Sequence, residues 1–136
     1  MLETPDILGA LAAELMRHGF SVHGDESTLS IRDEDVGTLV MASPADTEAY
    51  GTWMEVRILT LLDPRFLPMP VAADIVASSD PLFGRVDAID GAGGTTQLRH
   101  RDSAPYAPGL APAIAFRVLA SFTHMWELRD TIRASR

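Results

Sequence analysis

The stretch from Gly84 to Asp102, GRVDAIDGAGGTTQLRHRD, decides how the chain folds. It has the glycines of a phosphate-binding loop and the alternation of a β-hairpin. A P-loop needs G-x-x-x-x-G-K-[ST], and the chain contains no lysine. A dinucleotide fingerprint fails as well: Gly91 and Gly93 fit its first two glycines, but Thr96 stands where the third belongs. Before the glycines, Val86 and Ala88 alternate with Arg85 and Asp87. After them, Thr96, Leu98 and His100 alternate with Gln97, Arg99 and Arg101. Two alternating runs around a turn that begins at Asp90-Gly91 make a hairpin. Gly91, Gly93 and Gly94 are therefore expected to act as turn residues and to bind no nucleotide.

On the N-terminal side of this hairpin, Val71 to Ser79 predicts a short helix closed by Asp80-Pro81. The prolines of Asp63 to Pro70 break the pattern before it. Three strand signals come earlier. Ser27 to Asp33 alternates with Leu29 and Ile31 on one face, and an acidic turn from Asp33 to Gly37 leads into Thr38 to Ser43. After a polar loop from Pro44 to Gly51, Thr52 to Leu62 is the longest strand. One of its faces carries Met54, Val56 and Ile58. The other is mixed, with Trp53, Glu55, Arg57, Leu59 and Leu61, and is expected to be only partly buried.

The chain opens with a helix from about Pro5 to His18. Thr4 is a good N-cap, Pro5 suits the first position, and Ile7, Leu8, Leu11 and Leu15 form one apolar stripe. Gly19 reads as the left-handed residue after the helix, with Phe20 as its apolar contact. The last helix, Ala111 to Ala134, follows a linker from Ser103 to Gly109. Its broad face holds Ile114, Ala115, Val118, Leu119, Phe122, Met125 and Trp126, and Trp126 is expected to anchor the helix against the sheet. Phe116 and Leu128 fall outside that face. Beyond Trp126 the face continues through Arg129, Ile132 and Arg133. A core face that turns basic reads as an end leaving the core, either solvated or docked on a partner. The predicted fold is a single α+β domain, residues 1–136, of order α-β-β-β-α-β-β-α, with an antiparallel sheet packed by helices.

Composition narrows the function. A length of 136 residues suits one domain with a real core. A net charge of −8 opposes nucleic-acid binding and an anionic membrane surface, and no apolar run approaches a membrane span. With no signal-like N-terminus the expected location is the cytoplasm. The absence of cysteine removes disulfides, thiol nucleophiles and Cys-type zinc sites, and the absence of lysine removes Schiff-base chemistry. The four histidines do not assemble a metal motif. His18 and His23 are separated by the helix-ending Gly19. His18 reads as a partly buried helix-end residue, His100 sits between two arginines, and His124 falls on the polar face of the last helix. From Asp33 the EF-hand spacing fails at Gly37 and Pro44, so Asp33-Glu34-Asp35 reads as a solvated turn. No G-x-S-x-G elbow is present. No cofactor, metal or catalytic residue is expected, although a Ser-His-Asp site or a carboxylate pair scattered along the chain stays open.

The order of elements resembles the type III secretion chaperone-like fold, in its bacterial YbjN-type and class I secretion chaperone branches. The similarity runs from about Thr4 to Ala134 and is carried by VAADIVASSDPLFGRVDAIDGAGGTTQLRHRD followed by LAPAIAFRVLASFTHMWELRD. The Asn common after the second helix is absent, with Ser78, Ser79 and Asp80 in that region. The resemblance implies a non-enzymatic homodimer that binds a protein or peptide partner. Trp53, Leu59 and Leu61 on the longest strand and Phe116 on the last helix are the candidate contact residues. A regulatory or small-ligand module of the same fold is the alternative, and a small hydrolase a third reading.

Overall fold

Helix α1 (Thr4–Arg17) turns its leucines inward: Leu8, Leu11 and Leu15 are buried at helical spacing. The computed structural model describes residues 4–24, 28–49, 51–63, 67–90 and 96–134. The side chains of residues 4–7 lie outside this description, the predicted cap at Thr4 and Ile7 among them. Gly19 ends the helix with φ 90°, and the Phe20 amide donates back to the Leu15 carbonyl at 3.3 Å. A side chain at this φ would be strained, so the glycine serves as expected. Phe20 then meets Phe122 edge-on, with ring centroids 5.4 Å apart.

Six strands follow: β1 (His23–Gly24), β2 (Thr28–Asp33), β3 (Val36–Thr47), β4 (Gly51–Leu62), β5 (Arg85–Asp90) and β6 (Thr96–Pro105). Helix α2 (Met69–Ser78) lies between β4 and β5, and a 3-10 turn (Pro108–Leu110) leads into α3 (Ala111–Ala134). The order matches the prediction apart from the two-residue β1. The sheet is antiparallel throughout, in the order β1-β2-β3-β4-β6-β5. The hairpin of the opening stretch forms, with Asp90 opposite Thr96. Its predicted turn glycines, Gly91, Gly93 and Gly94, lie outside the described residues.

The turn expected from Asp33 to Gly37 narrows to Glu34 and Asp35, with Val36 and Gly37 in β3, and three strands lengthen for physical reasons. β3 and β4 run on to Thr47 and Gly51, through a segment predicted as loop. Pro44 fits there because the described pairing of β3 with β2 ends at Met41, so its missing N–H faces an unpaired edge. β6 likewise continues to Pro105 through the predicted linker.

The helices share one core with one face of the sheet. Leu29, Ile31, Val36, Val40, Val56, Ile58, Leu62 and Leu98 meet Ile114, Ala115, Val118, Phe122 and Met125 of α3. α2 adds Ala72 to this core beside Val86 of β5.

Helix α3 corrects three expectations. Its buried residues Val118, Phe122, Met125, Arg129 and Ile132 recur at three- and four-residue steps, so the inward face stays in the core to the end. Arg129 occupies a core position and is 4% exposed, where a departing helix end was expected. Trp126 lies one residue past Met125, about 100° around the helix, and is 36% exposed rather than anchored under the sheet. Leu128, expected off the core face, packs partly against it.

The end of α3 docks on the β2–β3 turn of its own chain. Arg129 pairs with Asp35 at 3.3 Å and Glu34 at 3.5 Å, Arg133 pairs with Glu34 at 3.0 Å, and the Trp126 indole N–H donates to Asp33 at 2.7 Å. The Asp33-Glu34-Asp35 cluster is thus a set of internal counter-ions and not merely a solvated turn. Glu34 holds φ 54°, unusual for a residue with a side chain, at the head of a two-residue turn.

Candidate functional site: the open face of the sheet

Alternation along each strand sends every second side chain away from the helices. Three rows can be read across that outer face from the strand registers. Gly37, Leu61, Arg99 and Asp87 stand side by side, as do Leu39, Leu59, Arg101 and Arg85, and then Met41, Arg57 and Ser103. The face is apolar on β3 and at Leu59 and Leu61 of β4, and charged at Glu55 and Arg57 of β4 and along β6 and β5, where arginines dominate. Leu39 is 37% exposed and Leu59, Leu61 and Met41 are half-buried. No helix of the described residues covers them.

A groove of about 670 Å³ crosses the basic half, lined by Arg57, Leu59, Arg85, Arg99 and Arg101 and floored near Gly84. Gly84 has φ 69°, and a Cβ built there would stand 2.0 Å from the Arg101 carbonyl oxygen. Only glycine admits this approach of the chain to β6. Asp87 orders the cations: its carboxylate accepts from Arg99 Nε at 2.9 Å, Arg99 Nη2 at 3.0 Å and Arg101 Nη2 at 3.0 Å. The hydrogen bond from Arg99 holds the Asp87 carboxyl below its ordinary range, against an opposing effect of burial, and Asp87 in turn raises Arg99. Arg57 pairs weakly with Glu55 at 3.6 Å.

Of the four predicted contact residues, the structure brings Leu59 and Leu61 together. Trp53 shares their face but lies six residues up the strand from Leu59, about 20 Å away at ~3.3 Å per residue. Phe116 does not join them. It sits on α3, on the opposite side of the sheet, 52% exposed and edge-on to Phe83 at 5.9 Å. Sequence reasoning missed Leu39, Met41 and the arginines as one surface. Their outward alternation was visible, but the pairing of β4 with β6 across the intervening α2 and β5 was not.

Inside the core a polar chain joins three elements. Thr38, Thr60 and Ser121 hydroxyls stand 2.8 and 2.6 Å apart, and Ser121 Oγ meets Nδ1 of His100. His100 Nε2 faces the Phe83 carbonyl oxygen at 2.6 Å, which only an N–H can satisfy. With Nε2 donating, the matching tautomer accepts at Nδ1 from Ser121, Ser121 accepts from Thr60, and Thr60 from Thr38. All four groups are used, and each is at most 1% exposed. The Ser-His pair has a backbone carbonyl where a hydrolase places its carboxylate, and no opening leads to it among the described residues. Next to it, His124 Nε2 meets Ser79 Oγ at 2.7 Å, half-buried where a polar surface position was expected. Burial pushes the His124 imidazole down, and His100 nearby adds to this. His18, expected to be partly buried, is exposed. Among the described residues no three His, Asp or Glu side chains gather as a metal site requires, and no helix is long and apolar enough to cross a membrane.

These features define a single α+β domain with a six-stranded antiparallel sheet, helices on one face and the other face open. That is the fold of YbjN from E. coli, described as a candidate transcription regulator. Its crystal structure matches with a TM-score of 0.57 at 16% identity, over 94% of this chain and 92% of that one. The YbjN-type resemblance read from the sequence therefore holds at the level of fold. No family model matches the sequence, and no curated protein matches it.

Proposed function

We propose that the chain is a non-enzymatic, homodimeric chaperone or adaptor of the cytoplasm, and that its outer sheet face holds an extended segment of another polypeptide. The observation that carries this reading is the uncovered patch of Leu39, Met41, Leu59 and Leu61 bordered by arginines. Apolar side chains on a water-facing sheet mark a contact surface, and the polar rim of such a contact is supplied here by charged neighbours. The buried and fully used Ser121-His100 pair supports a binding role over a hydrolytic one. The dimer contact is assigned to Phe116 with Leu82, which is 68% exposed on the α2–β5 connection next to Phe83. That surface lies away from the outer face and leaves it free.

The experiment is suppression of aggregation of a reduced, unfolded model protein. The wild-type chain is expected to suppress it in a stoichiometric manner. Leu39→Ser and Leu59→Ser, each checked for an intact melting transition, are expected to lose the effect. Full suppression by both variants would place binding elsewhere. A regulatory or small-ligand module is the second reading, favoured by the arginine groove. It gains if small anions bind there and unfolded chains do not.

A further inference from the structure

We propose that the arginine groove of the outer face recognises an acidic peptide segment, extended, with an apolar side chain at one end and carboxylates two and four residues further on. This rests on the polypeptide-binding reading and names the class of segment. The argument begins with charge. The chain as a whole carries −8, yet the groove is lined by Arg57, Arg85, Arg99 and Arg101 with Glu55 and Asp102, and Asp87 stands beside Arg99; of these three carboxylates Asp102 is buried and paired with Arg117 of α3, which leaves four cations facing two carboxylates. Arg85 and Arg101 stand directly opposite each other on β5 and β6. Like charges in that position destabilise a strand pair, and the cost is carried in a chain rich in carboxylates. Arg85 has no carboxylate partner among the described residues. Asp87 does not cancel its neighbours but fixes them, holding the Arg99 and Arg101 guanidinium groups in place. Two ordered cations and two freer ones thus face one groove, an arrangement suited to carboxylates or phosphates.

The apolar half chooses between those ligands. The row runs from Leu39 and Leu59 to Arg101 and Arg85, from apolar to basic. Three inter-strand steps of ~4.8 Å make about 14 Å, which five extended residues at ~3.3 Å each can cross. Side chains facing the sheet recur every second residue, so the first meets leucine and the third and fifth meet arginine. A free phosphate uses the cations alone. A single-stranded nucleic acid needs aromatic rings for its bases, and none lines the groove.

The test is an NMR titration of the intact protein with the peptide GSLSDSEGS and its neutral twin GSLSNSQGS, at about 50 and about 300 mM salt. The acidic peptide is expected to bind more tightly, and its advantage to collapse at the higher salt. Arg85→Gln should weaken the acidic peptide about three- to fivefold, the scale of one exposed ion pair, and leave the neutral twin unchanged. Arg17→Gln on α1, outside the groove, should change neither. Equal binding of both peptides overturns the acidic preference and leaves the polypeptide-binding reading standing. The same holds if neither peptide binds while the unfolded client is still protected. If the client is unprotected too, both readings fall. Tripolyphosphate matching and displacing the acidic peptide would show a site that reads charge alone, and would overturn the peptide assignment.

Discussion

Arg129 is a buried cation at the end of α3, and its removal and the removal of its partner should not cost the same. Its side chain is 4% exposed, held by Asp35 at 3.3 Å and Glu34 at 3.5 Å, with the guanidinium carbon 4.2 Å from the Trp126 ring centre. Its Nε has no hydrogen-bond partner among the described residues. Breaking a fully buried pair by deleting one partner costs about 3–5 kcal/mol, because the other charge stays behind. Asp35→Ala leaves that charge in place. Asp35 is itself 28% exposed and Glu34 remains nearby, so we expect about 2 kcal/mol, below the fully buried range. Arg129→Met removes the buried charge and keeps most of the stem. The carboxylates left are partly exposed and still face Arg133. The lost hydrogen bond and cation–π contact are then offset by relief of desolvation, for a net cost of about 1 kcal/mol or less. For a chain of this size 1 kcal/mol moves the melting point by about 3–5 °C. Asp35→Ala should lower it by about 6–10 °C, Arg129→Met by no more than about 5 °C. The double variant should melt above Asp35→Ala alone. Thermal unfolding of the three proteins tests this. A larger loss for Arg129→Met than for Asp35→Ala, with no recovery in the double variant, refutes the reasoning.

Three further outcomes follow from the same contacts. Ser121→Ala leaves the His100 Nδ1 acceptor and the Thr60 hydroxyl without their shared partner, and should cost about 1–3 kcal/mol in urea unfolding; a neutral substitution would show the chain is not under tension to be satisfied. His124 titrates below the usual value of about 6.5 in the folded protein. The unfolded chain then binds the proton more readily, so stability should fall as pH drops below that value, and His124→Gln should flatten this slope in a pH series of melting curves. Phe116→Ala should convert a particle of about twice 14.7 kDa in light scattering into a folded monomer whose melting point falls only modestly, through loss of association and of the edge contact with Phe83, whereas a dimer that persists places the contact elsewhere.

The parts of the fold set by neighbouring residues were legible in the sequence. Gly19 announced its left-handed turn, the run from Arg85 to Arg101 announced a hairpin, and the period of α1 gave its buried leucines. The docking of α3 was not legible. Arg129 falls at a core spacing, but a charge there reads as solvent until the acidic turn about a hundred residues earlier is known to lie beside it. The same holds for the candidate surface. Leu59 and Leu61 were visible as a mixed strand face, yet their arginine border is built by β6 inserting between β4 and β5. Trp126 was misplaced because size and apolarity suggested the core, whereas its N–H found Asp33 at the rim.

The central claim is that the open sheet face, and not the helical side, meets another polypeptide. The most direct measurement is methyl chemical-shift mapping of the labelled protein with an unfolded client. The account predicts changes at Leu39, Met41, Leu59 and Leu61, with the buried methyls of Leu8 and Leu11 and the exposed Leu82 unmoved. Changes gathered on the helical side, with the four outer-face residues silent, would contradict it.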